Sequence, residues 1–127
     1  MIEITIPRKT PSINHLYGRR GFRSYIKPEG KELKEYIITL VKHYPHDSIP
    51  EIPNISGQKL SIQVDIYENW FTKEGRVARK DISNREKFLI DSVFEGLELD
   101  DKFIFEHTMR KIQSDEEKAI IRISTIE

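Results

Sequence analysis

From Leu60 to Tyr67, apolar and polar residues alternate without a break: Leu60, Ile62, Val64 and Ile66 against Ser61, Gln63, Asp65 and Tyr67. Successive side chains of a strand point to opposite faces, so this stretch must have one buried face and one solvated face. The chain therefore has to build a sheet and cover one side of it. Ile2, Ile4 and Ile6 alternate with Glu3 and Thr5 in the same way, and Pro7 ends that strand.

The cover is expected from two helices. Pro28 and Glu29 suit a first helical turn, and Leu33, Tyr36, Ile37, Leu40 and Val41 follow at helical spacing, with Lys42 and His43 near the C-terminal end. A second helix is expected from about Asn84 to Glu95, with Phe88, Leu89 and Val93 inward and Gly96 as its stop. Residues 102–112 and 118–126 read as two strands joined by a polar turn at Ser114, Asp115 and Glu116. Residues 8–27, with Pro11, Gly18 and Gly21, read as a long loop, as does the stretch holding Pro45, Pro50, Pro53, Asn54 and Gly57. Residues 68–80 read as a loop or ribbon. The pattern is β-α-β-α-β-β, an α+β (mixed α/β) fold with a small sheet and two main helices. All of residues 1–127 are expected to form one domain.

The composition is that of a foldable globular chain: hydrophobic residues make up 37% and charged residues 33%. A core of this size is marginal, and a homodimer would add buried surface. There are no cysteines, which excludes disulfides and thiolate metal sites and fits a cytoplasmic location. Met1 leads directly into the first strand and no apolar run approaches a bilayer's thickness, so neither a signal peptide nor a membrane partner is expected.

The formal net charge is zero, unusual for a nucleic-acid binder, but the charges are segregated. Arg19, Arg20, Arg23, Lys27, Lys31 and Lys34 crowd one segment, and Lys73, Arg76, Arg79, Lys80, Arg85 and Lys87 another. Asp91, Glu95, Glu98, Asp100, Asp101 and Glu106 lie together elsewhere. A basic surface beside an acidic site suits a metal-dependent nuclease.

The segment Lys80-Asp81-Ile82-Ser83-Asn84-Arg85-Glu86-Lys87 carries the chemistry. Ser83 and Glu86 have capping-box spacing, so Ser83 is read first as a helix cap. A turn of about 100° per residue puts Asn84, Lys87, Asp91 and Glu95 in one stripe. A carboxylate (Asp81) and a lysine (Lys87) at a helix start suit phosphate chemistry: the one can hold a divalent ion, the other can stabilise charge on a phosphoryl oxygen. Leu99-Asp100-Asp101 is the candidate second acidic element. Adjacent residues of a strand face opposite ways, and which aspartate faces the site stays open. The four histidines, His15, His43, His46 and His107, have no metal-ligand spacing.

These residues resemble the RusA family of Holliday junction resolvases. The family shows a basic run, Asp-x-Asp-Asn, a lysine three residues on, an aspartate in the same helix, a glycine, and an Asp-Asp pair. The matching residues are Arg79-Lys80-Asp81-Ile82-Ser83-Asn84, Lys87, Asp91, Gly96 and Asp100-Asp101. Pro11-Ser12-Ile13-Asn14 with Tyr17 resembles the element after the family's first strand, and Lys27-Pro28-Glu29-Gly30 the start of its first helix. The resemblance spans roughly residues 2–124.

It implies a homodimeric endodeoxyribonuclease that nicks four-way or branched DNA in pairs with Mg²⁺ (or Mn²⁺) and no small-molecule cofactor, in recombination and repair. The catalytic positions it implies are Asp81, Ser83, Asp101 and Lys87, so serine stands where the family has an aspartate. Asp81, Asp101, Asp100 and Asp91 are then the candidate metal ligands, Asp81, Lys87 and Asp101 the catalytic residues, and Ser83 and Asn84 supporting ones. DNA binding would fall to Asn14, Arg19, Arg20, Arg23, Lys27, Lys73, Arg76, Arg79 and Lys80, with Phe22, Tyr25, Trp70 and Phe71 either stacking on bases or serving packing. Two other readings are a junction-binding protein with impaired catalysis, because of Ser83, and an interaction module without a nucleic-acid role.

Overall fold

The computed structural model describes residues 2–12, 16–44 and 58–126, apart from the side chains of Ser83 and Asn84. Its elements in chain order are β1 (Ile2–Ile6), β2 (Tyr17–Arg20), β3 (Arg23–Ile26), α1 (Pro28–Lys42), β4 (Leu60–Glu68), α2 (Ser83–Leu97), a 3-10 turn (Asp101–Phe103), β5 (Ile104–Gln113) and β6 (Lys118–Thr125). The expected loop with Pro45, Pro50, Pro53, Asn54 and Gly57 lies outside the described residues.

A four-stranded sheet runs in the order β1-β6-β4-β5. β4, the strand with the strictest alternation, is central. It pairs antiparallel with β6 and parallel with β5. A parallel neighbour needs a crossover, and α2 provides it. The register builds three apolar rows across one face: Ile2–Ile123–Ile62, Ile4–Ile121–Val64 and Ile6–Ala119–Ile66. Leu33, Ile37 and Val41 of α1 and Phe88, Leu89, Ile90, Val93 and Phe94 of α2 join them in one buried cluster. The mixed α+β architecture, a small sheet with two main helices, is the one expected.

β5 and β6 are linked by the short polar turn that the sequence announces, but they do not pair with each other. The turn carries the chain past the end of β4, where Ser114 N–H donates to the Glu68 carbonyl at 3.0 Å.

The opposite face of the sheet is polar and holds one buried charge. Asp65 is fully enclosed. Arg110 from β5 grips it through Nε (2.8 Å) and Nη2 (2.7 Å), and Arg122 from β6 through Nη1 (2.8 Å). Arg122 also reaches Glu3 on β1 at 3.0 Å. A carboxylate kept from water is tolerated only with such partners, and here they tie all four strands together.

Two expectations are corrected. Residues 8–27 are not a featureless loop: β2 and β3 form an antiparallel hairpin pairing Tyr17 with Ile26 and Arg20 with Arg23. Gly21 takes the turn at φ 63°, a conformation with little steric cost for glycine. Beyond its foot, where Tyr17 and Ile26 pack against the core, the hairpin is exposed and so has no apolar alternation to betray it. Gly96 does not stop α2, which runs on to Leu97 and ends on Glu98 at φ 58°. Gly96 instead lets the helices approach, since a Cβ there would meet Val41 Cβ at 2.9 Å and Ile38 Cα at 3.4 Å.

Two outcomes follow. Gly96→Val should cost about 1–3 kcal/mol by overpacking the α1–α2 contact, read as a lower urea midpoint. The Arg110 guanidinium, with Arg122 and Gln63, holds the Asp65 carboxyl below the usual carboxylate range against the effect of burial. Its folded-state pKa lies below the unfolded value of about 3.9, so its stabilisation is complete above that value and fades as the pH falls further. Asp65→Asn should cost about 2 kcal/mol at neutral pH and flatten the acid limb of a stability–pH curve.

Candidate active site

The start of α2 is held by a buried ion cluster. Glu68, the last residue of β4, is 1% exposed and accepts hydrogen bonds from the Arg85 guanidinium and from Lys80 Nζ at 3.0 Å. Lys80 also donates to the Asn69 carbonyl at 2.9 Å. Trp70 packs beneath, its ring centroid 5.1 Å from the Arg85 guanidinium and 4.9 Å from Lys111 Nζ. Its indole N–H donates to the Ile66 carbonyl at 3.1 Å. Trp70 is thus a core residue, while Phe22, Tyr25 and Phe71 are exposed.

Beyond this anchor, α2 carries Lys87 and Asp91 one turn apart on one stripe. They line a cleft of about 710 Å³ with Phe88, and its facing wall is the hairpin, from Tyr17 and Gly18 at its foot up to the Arg19–Ser24 pair. The Tyr17 ring meets Phe88 edge-on at 6.2 Å. Asp91 also borders a second hollow of about 470 Å³, with Glu95, Glu98, Leu99, Asp100 and Asp101. Asp91 is therefore the side chain shared by the two.

The acidic pair after α2 is divided in its tasks. Asp100 Oδ1 accepts from Lys102 N–H at 2.9 Å and caps the 3-10 turn. Asp101 acts electrostatically on Asp91. Burial pushes the Asp91 carboxyl above the usual range, with Asp101 adding to the shift and Lys87 opposing it. Glu86 is raised as well, chiefly by burial and against the influence of His107, whose Nε2 lies 3.6 Å from Glu86 Oε2. Glu86 thus faces β5.

Lys87, Asp91, Asp100 and Asp101 thus gather around two adjoining hollows. Asp81 is exposed in the loop before α2 and lines neither hollow. The helix start has Ile82 at its cap position without a side-chain cap bond. Capping or ligation by Ser83 and support by Asn84 concern side chains outside the described residues, and Asn14 lies outside them too. Arg19, Arg20 and Arg23 are exposed on the hairpin, Lys27 is half-buried at its foot, and Lys73, Arg76 and Arg79 are exposed on the ribbon closed by the Phe71–Val77 bridge. Lys80 is already engaged by Glu68. The sequence reading did not single out Tyr17, Gly18 and Ser24 as a cleft wall, or the Glu86–His107 pair. Only the hairpin fold and the β4–β5 register bring them in.

Residues 7–124 match the family Endodeoxyribonuclease RusA. The chain belongs to the RusA family. The match covers both hollows, the hairpin and the whole of α2, and supports a Holliday-junction-resolving endonuclease in general, acting on branched DNA. No curated protein matches this RusA-family chain. Among the described residues, no helix is long and apolar enough to cross a membrane.

In metal-free protein, the Asp91 carboxyl should titrate above the ordinary aspartate value in a carbon-detected NMR titration. Asp101→Asn should lower that midpoint, because it removes a neighbouring negative charge.

Proposed function

We propose that this chain resolves four-way DNA junctions by metal-assisted phosphodiester hydrolysis, placing paired nicks as a homodimer. The observation that carries this reading is that Lys87 and Asp91 face a basic hairpin across one cleft while Asp91 borders the adjoining hollow with Asp101, in a chain matched to the family over residues 7–124. The donors fit a hard divalent cation in kind: they are carboxylates, and the Asp91 carboxyl, raised chiefly by burial and further by Asp101, is an anion that a cation would stabilise. Among the described residues, Asp81 included, no three acidic or histidine side chains stand together as a ligand set, so Asp81 enters this reading on its place in the family's motif alone.

Asp81 and Asp101 would hold Mg²⁺ or Mn²⁺, with Asp91 and Asp100 beside them. When bound, the ion supplies an activated water and polarises the scissile phosphate. Lys87 donates to the phosphoryl oxygen on which charge develops. Asn84 would orient a carboxylate or cap the helix end. Arg19, Arg20, Arg23, Lys27, Lys73, Arg76 and Arg79 neutralise backbone phosphates, so binding weakens steeply with added salt.

A second reading, junction binding with weakened cutting, is favoured by Ser83, because a neutral hydroxyl is a poorer ligand than the family's aspartate. Ser83→Asp separates the two: stronger metal binding and faster nicking mark a weakened site, whereas no change in either sets Ser83 apart from the metal.

The deciding experiment compares nicking of four-way and duplex DNA with Mg²⁺ or Mn²⁺. Asp81→Asn should abolish nicking and leave the junction gel shift intact, and Lys87→Ala should slow nicking about 10²–10³-fold. Equal nicking by wild type and Asp81→Asn overturns the assignment.

A further inference from the structure

We propose that Phe22, at the tip of the β2–β3 hairpin, is a wedge that enters the base stack where the arms of a branched DNA meet. The inference rests on the resolvase reading and adds a means of opening the crossover. Phe22 is wholly exposed, at 111% of its reference area, far beyond Tyr25 at 48% or Phe71 at 42%. A phenylalanine held fully in water has no role in packing this chain.

Its setting selects the partner. Gly21 turns the chain immediately before it at φ 63°, and Arg19, Arg20 and Arg23 stand exposed around it. None of these three arginines has an acidic partner among the described residues. An apolar ring ringed by open guanidinium groups repels a basic or apolar protein surface less than it attracts a polyanion with stacking faces. Nucleic acid is the partner that offers phosphates and aromatic faces together.

The hairpin is also built to transmit force. Its foot is fixed by Lys27 N–H on the Leu16 carbonyl at 2.8 Å, by fully buried Leu16, and by Tyr17 against Phe88. Gly30 lets α1 approach this foot, since a Cβ there would lie 2.5 Å from the Leu16 carbonyl oxygen. Along the ribbon, the Tyr25 ring fills the space over Gly18, where a Cβ would meet it at 2.5 Å. The ribbon is one wall of the cleft that holds Lys87 and Asp91. That wall reaches up the ribbon to Arg19 and Ser24, so the tip stands about two residues of strand, roughly 7 Å, beyond it, close to a backbone lying in the cleft.

The test uses the full chain and a four-way junction with 2-aminopurine at the crossover, whose fluorescence rises on unstacking. In EDTA, wild-type binding should raise the signal. Phe22→Ala should lose most of the rise and bind about tenfold more weakly, within the roughly 5- to 150-fold range of lost base–aromatic stacking. Phe22→Trp should keep both. With metal, Phe22→Ala should cut the paired junction about tenfold more slowly, yet match wild type on a junction carrying unpaired nucleotides at the crossover. Circular dichroism should be unchanged, as expected of an exposed position. A wild type that binds and cuts with no rise in fluorescence, or a Phe22→Ala protein that opens and cuts the paired junction like wild type, overturns the wedge alone. A wild type that neither binds nor cuts junctions overturns the resolvase reading and the wedge with it.

Discussion

The buried carboxylate of Glu68 decides where the working end of the molecule lies. It closes the central strand in a place without water, where an unpaired anion would be very unfavourable. Arg85, from the first turn of α2, and Lys80, from the segment before it, both converge on it. The helix start is thereby fixed relative to the end of β4. Everything further along α2 inherits that fix, including the stripe with Lys87 and Asp91. The parallel placement of β5 follows as well, because α2 is the crossover that delivers it.

Elements that bury a regular apolar face were plain in the sequence. β1, β4 and α1 show their period directly, since each faces the same core from one side. The hairpin was not legible, because only its foot, Tyr17 and Ile26, packs against the core and residues 19–25 are exposed, so nothing imposes alternation along it. Gly96 misled for a related reason. A glycine near a helix end reads as a stop, but here the requirement was set by Val41 on another helix, and no local pattern records a neighbour's approach. Trp70 was ambiguous among basic residues until the fold turned those cations into its packing partners. Asp65 looked like an ordinary solvent-side residue of β4, and only the arrival of Arg110 and Arg122 from neighbouring strands encloses it.

The candidate site was legible in its linear part and not in its spatial part. Lys87 and Asp91 follow from helical spacing alone. The Asp100–Asp101 pair could be named, but its division of tasks depends on the 3-10 turn: Asp100 accepts a backbone N–H of the turn, and Asp101 sets its charge against Asp91. The facing wall from Tyr17, Gly18 and Ser24 has no marker in the sequence, because its residues acquire meaning only once the hairpin folds back on Phe88.

The clustering of arginines on the hairpin in a chain of balanced charge has an effect at long range. Because positive and negative charges balance over the whole chain, no monopole pulls it toward distant phosphate. What remains is a field of higher order, which decays faster with distance and is felt only near contact. Such a molecule is turned rather than drawn: close to a polyanion it experiences a torque that presents the hairpin, and with it the cleft that the hairpin walls. Uniform duplex offers it little to hold from afar, whereas a place where several backbones crowd together presents a steep local gradient. The balance of charge thus favours recognition by local shape over attraction to DNA in bulk.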